Sequence, residues 1–335
     1  MTQDRGDVGN GESDPSALIL VLELGHRKAV ENARSREYSD FTDAIVTFVN
    51  AHCMLNRENR VCLIGCGGDG SSSFLYSPSN SREELRVFVK RVGENIVRLV
   101  HKKSSDGKRS LAAKEGYTAS GLSSALSKAL CYANRLSRES KIVSSKKNEG
   151  SAVEVAKQQR GDEDSESNPS TLSSRIVVVS TAKDDPKDYV STMNCIFAAE
   201  RMSIPIDACV IGGGGVLHRA NDGDGGVLQQ AAHMTKGLYQ KVDQAQKLLQ
   251  YLLSVFLVSP RLRKNLLMPK IERIDYSAAC SCCTPPKMSK QGYVCAVCLS
   301  IFCERPDDKC LVCGVCVALR SSGIAGGGGK TDGAE

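Results

Sequence analysis

Two Cys-x-x-Cys pairs near the carboxyl end of this 335-residue chain are the residues whose spacing most clearly indicates chemistry. Cys295 and Cys298 are followed, after 11 intervening residues, by Cys310 and Cys313. Each pair can direct two thiolates at one ion, and four thiolates are the ligand set of a tetrahedral Zn²⁺ site. Such a site leaves no position for water. We therefore expect a structural zinc, which stabilises its module by about 10–16 kcal/mol.

Further cysteines flank these two pairs and suggest a second site. They are Cys280, Cys282, Cys283, Cys303 and Cys316. A second ion can be assembled in a cross-braced, RING-like arrangement from Cys280, Cys283, Cys303 and Cys316. RING modules include a histidine ligand, however, and the segment 276–316 contains no histidine. The sequence is therefore compatible with one zinc or with two.

The rest of the composition indicates an ordinary soluble intracellular protein. The amino-terminal sequence MTQDRGDVGNGESDPS has no apolar core, so no secretory signal is predicted, and clustered thiols then indicate metal rather than disulfides. The longest uncharged apolar stretch, 248–258, has 11 residues, against about 20 for a membrane span. The net charge of +6 is mild, and the absence of Trp argues against a surface that stacks nucleic-acid bases.

Continuous apolar runs of strand length alternate with segments of helical period. The predicted strands lie at 17–22, 61–65, 73–76, 176–179 and 206–211. The predicted helices lie at 30–55, 85–99, 119–136, 189–202, 227–234 and 244–256. Unbroken apolar strands are typical of parallel sheets covered on both faces. We therefore predict an α/β fold with a doubly wound, mainly parallel sheet, followed by a small carboxyl-terminal Cys₄ zinc-binding module.

The predicted organisation has four parts. They are a disordered tail at 1–14, an α/β domain at 15–260 with a disordered insertion at 140–174, the Cys₄ finger at 276–316, and a disordered Gly-rich tail at 319–335. The insertion is assigned because its residues are polar and show no apolar period.

No catalytic residue and no organic cofactor site are predicted. The loop GCGGDG at 65–70 matches the G-x-G-x-x-G fingerprint of dinucleotide sites. That fingerprint also requires a helix after the last glycine, and the sequence SSSFLYSPSN that follows predicts a strand instead. We therefore interpret the loop as a glycine hairpin.

Six stretches of the chain carry a resemblance to a known family. They are SFLYSP, ALSKALCYANR, FAAERMSIPIDACVI, VLQQAAHMTKGLY, KLLQYLLSVFL and DYSAACSC…GYVCAVCLSIFC, in this order. Together they resemble the small von Willebrand A-type subunit of general transcription factor IIH. The resemblance covers nearly the whole chain outside 140–174, the glycine loop at 212–226 and the two tails.

The resemblance implies a von Willebrand A-like domain followed by a Cys₄ zinc finger. It also implies a non-enzymatic structural subunit of the factor IIH core complex, acting in the nucleus in RNA polymerase II transcription initiation and nucleotide excision repair. The implied partners are the other core subunits, especially a larger subunit with its own von Willebrand A domain and a RING-like zinc module. The sequence assigns no direct contact with DNA and none with a membrane.

Von Willebrand A domains often carry a metal-dependent adhesion site, D-x-S-x-S, after the first strand. The corresponding residues here are Glu23-Leu24-Gly25-His26-Arg27. One carboxylate remains, both serines are absent, and Arg27 places a cation where Mg²⁺ would bind. Since hard cations need several oxygen ligands, we predict that Mg²⁺ is not bound, and Thr118 alone cannot replace the lost ligands.

Two other functions remain as alternatives. A RING-type ubiquitin ligase would use a two-zinc Cys-rich module. Two zincs per chain and ubiquitin transfer by the purified protein would favour it, whereas one zinc and no transfer would favour the scaffold. A metal-dependent adhesion module would bind its partner only in the presence of Mg²⁺.

Overall fold

The computed structural model describes most of the chain. The described residues are 15–24, 36–67, 71–77, 94, 121–149, 172–182, 184–211, 226–269, 274–284, 286–298, 300–306 and 309–315. They form two compact units that divide between Asp275 and Tyr276. Both predicted tails, most of the predicted helix at 85–99 and the glycine loop at 212–225 lie outside the described residues.

A six-stranded sheet forms the centre of the first unit. Its strands are β1 (Ser16–Leu24), β2 (Arg60–Gly67), β3 (Ser72–Tyr76), β4 (Ser173–Ser180), β5 (Ile206–Ile211) and β6 (Tyr239–Val242). Their order is β3-β2-β1-β4-β5-β6, and every neighbouring pair is parallel except the antiparallel β2–β3 pair. The strand order reverses direction at β1, as in doubly wound folds, so the predicted fold class is confirmed.

Helices cover both faces of this sheet. They are α1 (Arg36–Leu55), α2 (Leu122–Glu149), α3 (Tyr189–Arg201), α4 (Gly226–Met234) and the short α5 (Leu248–Tyr251). On one face, α1 and the segment around α5 pack on alternate β1 residues such as Leu18 and Leu20. The intervening β1 residues, such as Ile19, point to the face where α2, α3 and α4 pack side by side. Among the described residues, no helix is both long and apolar enough to cross a bilayer.

Two predicted elements differ from the structure. Helix α2 continues to Glu149, so 140–149, which the sequence assigned to the disordered insertion, is helical. Helix propagation needs only residues that tolerate it, and no Gly or Pro interrupts the run before Gly150. The predicted helix at 244–256 is divided into a 3₁₀ turn at Ala245–Lys247, α5, and a π-helical turn at Leu252–Phe256.

The glycine run at 65–70 joins two antiparallel strands. Gly65 pairs with Ser73 and Cys66 pairs with Ser72 across the β2–β3 ladder. A strand therefore follows this loop, and the predicted hairpin is confirmed.

A buried ionic network anchors the segment 257–263, which follows the helical turns after β6. The guanidinium of Arg263 donates two hydrogen bonds to the carboxylate of Asp207 on β5, at 2.7 and 2.5 Å. Asp207 is fully buried and also accepts the N–H of Leu238 at 2.8 Å. Because both carboxylate oxygens are paired with a cation, the charge is compensated.

A second buried arginine holds the same segment. Arg175 on β4 donates to the main-chain oxygens of Val258, at 2.7 Å, and Leu257, at 3.0 Å. Burial lowers the pKa of Arg175 to about 10, an effect that the neighbouring Asp207 carboxylate opposes. The side chain therefore keeps its positive charge at neutral pH. The amino-terminal ends of β4 and β5 thus fix the path of the chain beyond α5.

We expect Asp207→Ala to destabilise the first unit by about 3–5 kcal/mol, because Arg263 would remain buried without its counter-charge. Urea unfolding of the full chain, followed by circular dichroism, measures this loss. Glu139→Ala is the matched control, since it removes an exposed pair with Arg60 at 3.4 Å and should cost less than about 1 kcal/mol. Equal and small losses for both variants would contradict the role of the network.

Candidate metal centre

Four short strands form the framework of the second unit. They are β7 (Ala278–Ala279), β8 (Met288–Ser289), β9 (Tyr293–Val294) and β10 (Ile301–Phe302). The pairs β7–β8 and β9–β10 are antiparallel. Cys280, Cys295 and Cys303 directly follow β7, β9 and β10. The backbone hydrogen bonds of the two strand pairs therefore position Cys280, Cys295 and Cys303.

The first cluster consists of Cys295, Cys298, Cys310 and Cys313, the four residues that the spacing grouped. Their Sγ atoms all lie within 4.8 Å of one another. The Sγ atoms of Cys298 and Cys310 are 3.5 Å apart, and those of Cys295 and Cys313 are 3.8 Å apart. A tetrahedron with metal–sulfur bonds of about 2.3 Å places its sulfurs about 3.8 Å apart. The separations therefore fit one metal ion.

Hydrogen bonds favour the thiolate form of two of the four sulfurs in this cluster. At Cys313, by contrast, a backbone hydrogen bond lowers the pKa, but burial and proton sharing with Cys310 raise it by more, to about 12. The Cys313 N–H donates to Cys310 Sγ at 3.5 Å and the Val312 N–H at 3.4 Å, and both lower the pKa of Cys310. Hydrogen bonding to the hydroxyl and then the backbone of Ser300 lowers the pKa of Cys298 to about 6. Since metal ions bind thiolates rather than thiols, the local backbone prepares these two sulfurs for a cation.

The second cluster consists of Cys280, Cys282, Cys283 and Cys303, again with all Sγ atoms within 4.8 Å. Cys303 Sγ lies 3.1 Å from that of Cys282 and 3.4 Å from that of Cys283, too far for a disulfide bond of about 2.05 Å. Burial raises the pKa of Cys280. The hydrogen bonds from the N–H of Lys287 and from the neighbouring cysteines lower it by more than burial raises it, so that the pKa falls to about 6. Proton sharing with Cys282 and then Cys283 raises the pKa of Cys303 to about 12.

The second cluster differs from the set that the sequence suggested. Cys280, Cys283 and Cys303 come together, and the fourth thiol is Cys282, while Cys316 lies outside the described residues. The RING-like set predicted from the sequence contains Cys280 and Cys283 but not Cys282. Cys282 Sγ accepts the N–H of Cys303 at 3.2 Å, a contact between residues 21 positions apart that spacing does not indicate.

The two clusters alternate along the chain. Residues 280–283 and 303 form one cluster, whereas 295–298 and 310–313 form the other. Phe302 is fully buried and packs with cysteines of both clusters. A side chain at Gly292 would come within 2.7 Å of the main-chain oxygen of Phe302, so only glycine fits beside it. Neither cluster can assemble without folding part of the segment that belongs to the other.

The residues that correspond to the metal-dependent adhesion site begin at Glu23, at the end of β1. Glu23 is buried, and its main-chain oxygen accepts the N–H of Thr181 at 2.9 Å and its hydroxyl at 3.3 Å. The residues 25–27 and Thr118 lie outside the described residues. The loss of Mg²⁺ binding therefore stays a prediction.

A doubly wound sheet followed by a module with two interleaved cysteine clusters defines the class of protein: a von Willebrand A-like fold with a carboxyl-terminal Cys-rich module that could hold metal ions. Its fold is similar to the crystal structure of the TFIIH p34 N-terminal domain, with a TM-score of 0.53 and 22% identity. The match covers 73% of this chain and 99% of that one. The family model for transcription factor Tfb4 matches residues 15–314, and the chain belongs to this family.

Curated relatives match most of the chain. General transcription factor IIH subunit 3 of Dictyostelium discoideum is 32% identical over 298 residues, which cover 84% of this chain and 69% of the relative. The general transcription and DNA repair factor IIH subunit tfb4 of Schizosaccharomyces pombe is 31% identical over 314 residues, covering 92% and 91%. The corresponding Arabidopsis thaliana subunit is 28% identical over 320 residues, with the same coverages.

Metal analysis of the purified full chain distinguishes the two candidate ligand sets for the second ion. They share Cys280, Cys283 and Cys303 and differ in the fourth ligand, which is Cys282 in the structure and Cys316 in the sequence-based prediction. We expect Cys310→Ser and Cys282→Ser each to lose at least one of two bound ions, because each removes a ligand from a four-thiol cluster. Cys316→Ser should keep both ions.

The control is Cys131→Ser, which removes an exposed thiol on α2 that belongs to neither cluster. If Cys316→Ser loses an ion and Cys282→Ser keeps both, the set suggested by the sequence is correct and the observed cluster is not the binding site.

Proposed function

We propose that this chain is a non-enzymatic structural subunit of the core of general transcription factor IIH. In this role it acts in RNA polymerase II transcription initiation and in nucleotide excision repair by holding partner subunits together. Membership of the Tfb4 family supports the proposal, as do relatives named as subunits of the general transcription and DNA repair factor IIH. The place of action is then the nucleus.

The observation that supports the non-enzymatic role is that each cysteine cluster offers four thiols, which are enough to fill the coordination sphere of a tetrahedral ion. We propose that the ions are Zn²⁺, because all-sulfur tetrahedral sites suit Zn²⁺ and leave no coordination position for water or substrate. Bound zinc would supply cross-links between distant parts of the module. The clusters therefore stabilise the fold of a module and do not provide a reaction centre.

The proposed partners are the other core subunits of the factor, above all the larger subunit with its own von Willebrand A domain and RING-like zinc module. In this proposal the first unit binds through buried protein surface rather than through a shared Mg²⁺ ion. The supporting feature is the Glu23–Arg27 loop, whose sequence retains one carboxylate and adds a cation.

A RING-type ubiquitin ligase is the second candidate, and the interleaving of the two clusters is the observation that favours it. RING modules use a histidine among their ligands, and here every residue of both clusters is cysteine. We expect no ubiquitin transfer when the full chain is supplied with activating enzyme, conjugating enzymes and ATP. Ubiquitin chains that depend on Cys310 would establish the alternative.

We expect the full chain to assemble with co-expressed core subunits equally well with and without Mg²⁺, because no cation bridges the interface. Glu23→Ala should leave the dissociation constant unchanged within about threefold for the same reason. Analytical ultracentrifugation of the purified components measures both effects, and Cys310→Ser serves as the variant that disturbs the metal module instead. Release of the partner on omitting Mg²⁺, and its return on adding Mg²⁺, would contradict the scaffold and favour the adhesion-site mechanism.

A further inference from the structure

The segment 258–267, here called the leucine strap, is held in one position by buried charges. Its first carbonyl, that of Val258, accepts hydrogen bonds from Arg175 at 2.7 Å and from Nε of Arg263 at 3.2 Å. Arg263 itself belongs to the strap and is bound by the fully buried Asp207. Local turns fix the rest of the strap. The N–H of Leu262 donates to the main-chain oxygen of Ser259, and the N–H of Leu266 donates to that of Arg263.

This fixed segment turns three leucines toward solvent. The exposed fractions are 53% for Leu262, 51% for Leu266 and 105% for Leu267. Leu267 is fully exposed and contributes nothing to the packing of its own unit, whereas Leu262 and Leu266 leave about half of their surface to solvent. Three exposed leucines therefore lie within six residues, on a segment whose path is fixed by the buried pairing of Arg263 with Asp207.

The charged residues nearest to these leucines along the sequence all have one sign. Between 254 and 271 the sequence contains Arg261, Arg263, Lys264 and Lys270, and no Asp or Glu. Asp207 neutralises Arg263, whereas Lys264, two residues after Leu262, is exposed. A complementary surface therefore needs apolar pockets for the leucines and carboxylates around them. Phosphate backbones would use the cations but not the leucines.

We propose that the leucine strap docks in an apolar groove rimmed by carboxylates on another protein subunit. Because the strap is ordered before it binds, its docking does not incur the conformational entropy cost of a flexible peptide. The proposal rests on the proposed function, since the groove belongs to another subunit of the same assembly.

The test compares the full chain alone with the full chain assembled on the co-expressed core subunits. We expect radical footprinting to label Leu266 and Leu267 in the chain alone and to lose that labelling in the assembly. Leu266→Ser with Leu267→Ser should weaken assembly at least tenfold without changing the melting temperature. Lys264→Glu should also weaken it, and the loss should be smaller at high salt.

Met54→Ser with Leu55→Ser is the matched control, since these side chains are 81% and 56% exposed at the end of α1, outside the strap. This pair should leave assembly unchanged. Leucines that stay labelled in the assembly, or that are already protected in the chain alone, would overturn the docking proposal while the proposed function stands. Failure of the unmodified chain to assemble would overturn the proposed function, and the strap with it.

A duplex DNA probe tests the remaining alternative, which is that the leucine strap binds nucleic acid. If duplex DNA protects the strap, and binding requires Lys264 but tolerates serine at 266 and 267, the strap is a nucleic-acid contact and the proposal is wrong. If duplex DNA leaves the labelling of Leu266 and Leu267 unchanged, the protection seen in the assembly belongs to a protein groove.

Discussion

The described part of the second unit, which ends at residue 315, buries few apolar side chains, and this constraint governs its stability. Modules of about 40 residues or fewer usually need metals, disulfides or a partner for stability. Among its described residues, Phe302 is the only large side chain that is fully buried, and much of the surrounding core consists of cysteines. The thiol clusters therefore take the place of a hydrophobic core. Because the clusters alternate along the chain, each ion would cross-link segments that the other ion also holds.

The first unit has the opposite character. Its sheet is covered on both faces, and the central strand β1 is buried along nearly its whole length. Asp207, Arg175 and Arg263 form a buried network of charges that fixes the path of the chain beyond α5. Apolar side chains of similar volume often stabilise such a site as well as a buried ion pair does, so the network is best explained by the single geometry that it imposes on the chain beyond α5.

The sequence predicted those features whose cause is local. Unbroken apolar runs predicted β1, β2, β4 and β5, and the paired spacing of Cys295, Cys298, Cys310 and Cys313 grouped the four thiols that lie together. Strand β6 was missed because its sequence, YQKV, has neither an apolar run nor strict alternation. The place of Cys282 and the partnership of Asp207 with Arg263, 56 residues apart, depend on tertiary contacts and have no signal in the local pattern.

The account depends most on the claim that both cysteine clusters are closed structural sites. X-ray absorption spectroscopy at the zinc edge of the purified full chain tests this claim most directly. The account predicts two zinc ions per chain, each surrounded by four sulfur atoms at about 2.3 Å and by no oxygen or nitrogen atom. An average of three sulfurs per zinc, with an oxygen or nitrogen ligand at about 2.0–2.1 Å, would reveal an open coordination position and contradict it.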